Sequence, residues 1–155
     1  MTETIFTKAT IRDLPAIIQL LADDELGRRR EDVGPPPSAK YHEAFEAINA
    51  DKNQLLAVAK SDNAVVGCLQ ISFVPGLSRT GLWRGQIESV RVASTLRGSG
   101  LGRAFLEWAI AQCRQRGCGL VQLTTDKSRP DALRFYQSLG FVASHEGMKL
   151  TVGEE

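Results

Sequence analysis

The stretch RGSGLGRAFLEWAI, residues 97–110, places three glycines at alternate positions directly before a run with helical spacing. That run predicts a helix over residues 100–116. The first N–H groups of a helix lack intrahelical partners and carry the positive end of the helix dipole. Glycines leave those groups uncovered, and Arg97 and Arg103 add charge on either side. The stretch therefore predicts a site for a phosphate or pyrophosphate.

Three interpretations of the glycines are open. They can serve a turn that needs positive φ. They can hold a dinucleotide, since Asp126 ends the next predicted strand, where a carboxylate could bind a ribose hydroxyl. The spacing G-x-G-x-G argues against that class, and a Walker A loop is excluded because no G-K-[ST] follows. The third interpretation is a cradle for the pyrophosphate of an acyl carrier such as coenzyme A.

The rest of the chain predicts one domain, residues 1–155, with helices and strands in the order β-α-α-β-β-β-α-β-α-β. Alternation predicts a first strand over Thr4–Lys8, and Thr10 or Asp13 can cap a helix that Gly27 ends. Two short strands are expected in FVASHEGMKLTV, residues 141–152. This order predicts an α/β or α+β fold with a mixed sheet.

Composition narrows the class of protein. Net charge is +1, from 19 Lys and Arg against 18 Asp and Glu, whereas nucleic-acid binders usually show a basic excess. The sequence contains no signal-peptide pattern and no apolar run that could span a bilayer. Three cysteines without metal-ligand spacing are typical of reduced cytosolic thiols. We therefore expect a cytoplasmic protein that binds neither nucleic acid nor membrane and holds no metal.

Two blocks carry a resemblance to a known family. VRVASTLRGSGLGRAFLEWAI, residues 90–110, resembles the R/Q-x-x-G-x-G/A signature of the GCN5-related N-acetyltransferase (GNAT) superfamily. DALRFYQSLGF, residues 131–141, resembles its A-x-x-F-Y-x-x-x-G-F block. The resemblance implies an acetyl-CoA-dependent N-acetyltransferase. It also implies a mostly antiparallel mixed sheet, splayed at the cofactor site and flanked by about four helices.

The resemblance assigns the cofactor contacts. The strand backbone at Val90 and Val92 pairs with the pantetheine arm, and the glycine-loop amides hold the pyrophosphate. Arg129 stands where many relatives have an asparagine, seven residues before the tyrosine, and could reach a phosphate of coenzyme A instead. The residues expected to contact coenzyme A are Val90, Arg91, Val92, Arg97, Gly98, Ser99, Gly100, Leu101, Gly102, Arg103, Arg129 and Phe135.

The resemblance also names two catalytic candidates. Tyr136 matches the tyrosine that protonates the leaving sulfur, and a free tyrosine titrates near 10, so it is an acid at pH 7. Glu88 is the candidate base and shares a strand face with Val90 and Val92 unless a bulge intervenes. A backbone N–H near Val90 would stabilise the oxyanion. The alternative interpretations are that Tyr136 is a core residue and that Glu88 is a surface carboxylate.

The acceptor is expected to be a small amine, or a protein amine. Candidate acceptor-binding residues are Arg28, Arg30, Arg79 and Trp83. No cysteine lies near the motifs, so we expect direct attack in a ternary complex without an acyl-cysteine. A non-catalytic acyl-CoA-binding module on the same fold is the alternative. A homodimer fits the resemblance as well.

Overall fold

A computed structural model describes residues 3–153. Its five-stranded sheet follows chain order from one edge to the other. β1 pairs with β2, β2 with β3 and β3 with β4, all antiparallel, and β4 pairs with β5 in parallel. The strands are β1 Thr4–Lys8, β2 Gln54–Ser61, β3 Ala64–Val74, β4 Arg84–Val92 and β5 Leu120–Leu123. The expected mixed, mostly antiparallel sheet is confirmed.

Helices lie in the connections between strands, after β5 and on both faces of the sheet. They are α1 Leu14–Ala22, α2 Glu25–Arg30, α3 Ala39–Ala50, the single turn α4 Ser78–Gly81, α5 Leu101–Gln115 and α6 Pro130–Ser138. α5 is the crossover between the parallel strands β4 and β5. Within residues 3–153, no helix combines the length and apolar character needed to cross a membrane.

The sheet has a separate apolar cluster on each face. On one face, α5 packs Phe105, Leu106 and Ala109 onto the inner residues of β2, β3 and β4, and α6 adds Phe135 and Tyr136 at the margin. On the other face, α1 and α3 pack onto Val58 and Cys68. Each helix thus buries its apolar stripe against the sheet.

Gly27 does not end the first helix, contrary to the sequence prediction. α1 stops at Ala22, and a second helix, α2, begins at Glu25 with Gly27 buried inside it. The Asp24 side chain caps α2 by accepting a hydrogen bond from the Gly27 N–H. A Cβ at Gly27 would lie 2.0 Å from the Leu21 carbonyl oxygen, so the glycine is there for close packing.

The two strands expected at the C-terminus are not formed. Residues 141–153 contain no strand, and β5 remains an edge of the sheet. The segment passes close to the residue after β5, since a Cβ at Gly147 would lie 3.7 Å from Thr124. Its alternating apolar residues are therefore not paired with the sheet among residues 3–153.

Candidate active site

The sheet opens between β4 and β5. The two strands pair only from Arg84 to Ile87 and from Leu120 to Leu123, while β4 continues to Val92. Within residues 3–153, the β5-facing backbone of residues 88–92 therefore has no strand partner. Free N–H and C=O groups at such a gap can hydrogen bond an extended ligand. The expected splay is present, and it exposes the segment that contains Val90 and Val92.

A bulge reshapes β4 at the gap. Glu88 pairs with Gln70 and Arg91 with Cys68, so the single residue Leu69 faces both Ser89 and Val90. Ser89 has a φ of 56°, the left-handed conformation that a side-chain-bearing residue rarely adopts. Bulges re-aim side chains and are enriched beside functional sites.

The bulge moves Glu88 to the opposite face from Val90. Cross-strand partners share a face, and Gln70 and Cys68 lie two residues apart, so Glu88 and Arg91 lie on the α1 and α3 face. Val90 packs with the cluster under α5 instead. Strict alternation predicted one face for Glu88 and Val90, and the extra residue is the reason that it fails.

The glycine loop leads directly from β4 into α5. Gly98 and Gly100 have φ of 80° and 88°, and a Cβ on either one would meet no atom of residues 3–153 within 4 Å. The first interpretation, glycines required by positive φ, is correct for these two. The same positions leave the N-terminus of α5 open to an incoming anion. Gly98 and Gly100 are therefore required by the backbone conformation and also leave the helix start accessible to a ligand.

Gly102 has a different role, inside the first turn of α5. A Cβ there would lie 3.7 Å from Phe135 and 3.7 Å from Val92. The three residues hold α5, α6 and the end of β4 together. Phe135 of the second sequence block is thereby a packing residue beneath the glycine loop.

The charges around the loop are engaged in different ways. Arg97 donates to the Asp23 carbonyl at 3.3 Å, which links the loop to the end of α1. Arg103 pairs with Glu107 at 3.1 Å along α5, and both side chains are more than half exposed. Such an exposed pair contributes little and is easily exchanged for another anion. Ser99 donates to the Leu96 carbonyl, and Leu101 opens α5.

Tyr136 lies on α6 at the margin of the core. Its ring makes edge contacts with Phe135 and Phe141, at centroid distances of 5.3 and 5.9 Å. Burial raises the pKa of the phenol above its usual value, and the positive charges of Arg91 and Arg129 act in the opposite direction more weakly. The hydroxyl therefore stays protonated at neutral pH, and a tyrosinate there would have two guanidinium groups in its field.

One carboxylate, Asp24, connects those two arginines. Arg129 donates to it at 2.8 Å. Arg91 Nε lies 3.4 Å from the same oxygen, within range for charge attraction, yet it has no hydrogen-bond partner among residues 3–153. Arg91 also donates to the Val90 carbonyl at 2.9 Å. Burial tends to raise the pKa of Asp24, but the Gly27 N–H and both arginines hold it below its usual value.

This arrangement changes the expectation for Arg129. The sequence suggested contact with a cofactor phosphate, and the side chain instead joins α6 to the start of α2 through Asp24. The site residues predicted from the sequence do not include Asp24. The sequence signal for this role is an aspartate directly before the first residue of α2, the position of an N-cap. The prediction of a single helix that ends at Gly27 obscured this signal.

The four candidate acceptor residues separate into two pairs. Arg28 and Arg30 lie on α2, beside the Asp24 contacts, and their Nε atoms donate to carbonyls of α2 and its N-cap at 3.3 Å. Arg79 and Trp83 precede β4, at its other end. Trp83 is six residues from Ser89, about 20 Å along an extended strand. Arg79 and Trp83 therefore do not line the gap between β4 and β5.

The cysteines are unsuited to nucleophilic catalysis. All three are free, and burial raises the pKa of Cys68 to about 12 and that of Cys113 to about 11. Burial also raises the pKa of Cys118. The thiolate is the reactive form, so these thiols are inert at neutral pH.

Comparison with known proteins agrees with this geometry. Residues 15–141 match the model of the acetyltransferase (GNAT) family. The crystal structure of a transcriptional regulator from Bacillus halodurans C-125 has a TM-score of 0.93 and 49% identity, covering 96% of this chain and 99% of that one. An aminoalkylphosphonate N-acetyltransferase of Salmonella typhimurium is 32% identical over 105 residues, 68% of each chain. A glucosamine 6-phosphate N-acetyltransferase of Trypanosoma brucei brucei is 37% identical over 87 residues, 56% of each chain.

The chain therefore belongs to the GNAT family of N-acetyltransferases. The topology agrees, since β4 and β5 form its one parallel pair among residues 3–153, on either side of α5. A dinucleotide-binding sheet needs several parallel βαβ units, and residues 3–153 provide one. The dinucleotide interpretation of the glycines is wrong.

Proposed function

We propose that this protein transfers the acetyl group of acetyl-CoA to the primary amine of a small molecule, by direct attack in a ternary complex. The observation that carries the proposal is the continuity of three features: the unpaired segment 88–92 of β4, the open glycine loop and Tyr136. Relatives that act on aminoalkylphosphonate and glucosamine 6-phosphate support a small acceptor.

Coenzyme A fits the residues present. The N-terminal N–H groups of α5, with Gly98 and Gly100 open to the exterior, would hold its pyrophosphate, and Arg97 and Arg103 would add positive charge. The side of β4 that β5 does not pair beyond Ile87 would pair with the pantetheine arm. When bound, the cofactor supplies the activated acetyl thioester.

Tyr136 is proposed as the general acid that delivers a proton to the departing sulfur. Its raised pKa keeps the proton in place until the sulfur becomes basic. Arg91 and Arg129 would then stabilise the negative charge that proton loss leaves on the phenol oxygen. The inert cysteines support a route without an acyl-enzyme.

Glu88 is proposed as the base that removes a proton from the acceptor amine. Its carboxylate is exposed and lies beside the bulge, on the α1 and α3 face. The acceptor would then approach from that face, through the gap, toward the opposite face where Val90 and Tyr136 pack. With base and acid on opposite sides of the gap, Glu88 removes a proton from the amine and Tyr136 donates one to the departing sulfur.

An acyl-CoA-sensing module without catalysis is the second candidate. The 49% identical Bacillus halodurans protein is a transcriptional regulator, and fold and cofactor site alone do not ensure turnover. The two functions differ in one property: a sensor binds acetyl-CoA but releases no free thiol when amines are added.

We also propose a cytoplasmic homodimer. The three free thiols are consistent with a reducing compartment. Three alternating residues near the C-terminus, Met148, Leu150 and Val152, are 92%, 86% and 91% exposed in the single chain. β5 presents an unpaired edge, so the segment of one copy can add as a strand to β5 of another.

Calorimetric titration with acetyl-CoA, with NAD as the control, tests the cofactor. Thiol release with a panel of amines then tests the chemistry. We expect saturable binding of acetyl-CoA alone and amine-dependent thiol release. Binding without release from any amine would favour the sensor, and no binding of acetyl-CoA would overturn both.

A further inference from the structure

A cavity of about 140 Å³ lies on the acceptor side of the sheet. Two helices form its walls with the same spacing of residues, i, i+3, i+4 and i+7, and the strands form its floor. The residues that line it are Leu14, Ile17, Ile18 and Leu21 of α1, Tyr41, Ala44, Phe45 and Ile48 of α3, and Leu56, Cys68, Gln70 and Ser89 of the sheet.

The lining is almost wholly apolar. Among residues 3–153, those that line the cavity include no lysine, arginine, histidine or carboxylate. The Tyr41 hydroxyl is already engaged, since it donates to Glu31 at 2.8 Å and accepts from the Asp32 N–H at 2.9 Å. A phosphate or phosphonate placed there would lose its hydration without gaining a cation. The cavity therefore disfavours anionic acceptors.

The polar residues of the floor, Gln70 and Ser89, lie where the floor meets the bulge. Gln70 uses its amide N–H to donate to Gln54 at 2.9 Å, which leaves its carbonyl oxygen able to accept from an amine. Ser89 is the bulge residue itself, and Glu88 is the cross-strand partner of Gln70. An amine placed there would lie next to the proposed base, with its substituent between α1 and α3.

The size of the cavity sets the size of that substituent. An apolar protein cavity of about 150 Å³ holds one benzene molecule. We propose that the acceptor is a primary amine with an uncharged apolar group of about benzene size, an arylalkyl or cycloalkyl amine. This inference rests on the proposed acetyltransferase function for its chemistry, but the apolar site itself does not depend on turnover.

Ala44 allows the site to be narrowed without disturbing the core, because it lines the cavity from an exposed position on α3. Ala47 lies one turn further on, is exposed and does not line the cavity, so Ala47→Leu is the matched control. The probes are benzylamine, ethylamine and 2-aminoethylphosphonate for thiol release. Benzyl alcohol, which cannot accept an acetyl group at nitrogen, serves for binding by ligand-observed NMR.

We expect kcat/KM for benzylamine to exceed that for either other amine by about tenfold or more. Ala44→Leu should lower the benzylamine value by about tenfold, mainly through KM, and abolish benzyl alcohol binding, while Ala47→Leu changes neither. Preference for 2-aminoethylphosphonate, or benzyl alcohol binding that Ala44→Leu leaves intact, overturns the site assignment with the acetyltransferase intact. Benzyl alcohol binding that Ala44→Leu abolishes, without thiol release from any amine, supports the site and overturns the proposed function.

Discussion

At the scale of single residues, Tyr136 has a pKa that favours the acid form and packs at the margin of the core beneath α5. We expect Tyr136→Phe to lower kcat about 10²-fold or more, the usual contribution of a positioned acid. The affinity for acetyl-CoA should stay unchanged, because the ring and its contacts with Phe135 and Phe141 remain. Steady-state thiol release and calorimetry measure the two quantities, and an unchanged kcat would remove Tyr136 from the acid role.

The same pKa predicts the alkaline side of the pH profile. An acid must be protonated, so its contribution disappears as pH rises through its pKa. Burial places that pKa above the usual value of 10, so the rate should show no decline from this group below pH 10.

The role of Glu88 as base can be tested by pH, because the acceptor amine needs a base only while it is protonated. A base is most needed at neutral pH, where the amine is an ammonium ion, so Glu88→Gln should reduce kcat/KM about 10²-fold there. The loss should shrink as pH rises toward the pKa of the amine. Glu43→Gln, an exposed residue of α3, is the control. A parallel pH profile for Glu88→Gln and the unmodified protein would exclude the base role.

The glycine loop offers a matched pair of positions at the two ends of α5. Gly100 and Gly117 have φ of 88° and 82°, and in the described part of the chain a Cβ at either would meet no atom within 4 Å. Asn tolerates this conformation, so Gly100→Asn and Gly117→Asn should have similar, small effects on stability. Only Gly100→Asn should weaken acetyl-CoA binding, by about tenfold, because only its side chain covers the N–H groups of the helix start. Equal acetyl-CoA affinities of the two variants in calorimetry would show that the glycine loop does not hold the pyrophosphate.

At the scale of elements, Asp24 ties α2 to β4 and α6. Asp24→Asn keeps the cap on Gly27, since Asn also accepts there, but leaves Arg91 and Arg129 without a counter-charge. We expect a loss of about 2 kcal/mol in the free energy of unfolding at pH 7, below the range for fully buried pairs because Arg129 is partly exposed. Asp23→Asn, one residue earlier and exposed, should be near neutral.

The pH dependence of that loss has a definite sign. The pKa of Asp24 is lowered on folding, so its stabilisation is present above the unfolded value, near 3.8, and is lost as pH falls through the folded value. The difference between Asp24→Asn and the unmodified protein in urea unfolding should therefore shrink below pH 4. A difference that stays constant down to pH 3 would show that charge is not its cause.

Elements with strong local signals were predictable from the sequence, and those decided by tertiary contact were not. β1 follows from alternation, and α5 follows from the glycines and the helical spacing after them. The break between α1 and α2 was missed because Gly27 reads as a helix end, whereas its packing against Leu21 keeps it inside α2. The family blocks located the glycine loop and Tyr136, but only the register of β3 and β4 shows the bulge that turns Glu88 away from Val90.

At the scale of the whole molecule, the single chain leaves two complementary features without partners: the β5 edge and the apolar alternation of residues 148–152. An exposed edge and an exposed apolar strand are each unfavourable in water, and pairing them between two copies satisfies both. We expect a dimer in solution at micromolar concentration.

Replacing Met148 and Leu150 together by Glu should convert that dimer to a monomer, because two charges would enter the strand added to the partner's β5. Leu77→Glu is the matched control: Leu77 is 95% exposed on the connection between β3 and β4, remote from β5 in the chain. Light scattering on a sizing column gives the mass of each variant. A dimer that survives the double substitution would place the interface elsewhere, and a monomeric unmodified protein would overturn the homodimer. Retention of acetyl-CoA binding by the monomeric variant would further show that the cofactor site is complete within one chain. The position of the glycine loop between β4 and α5 of the same chain predicts this result.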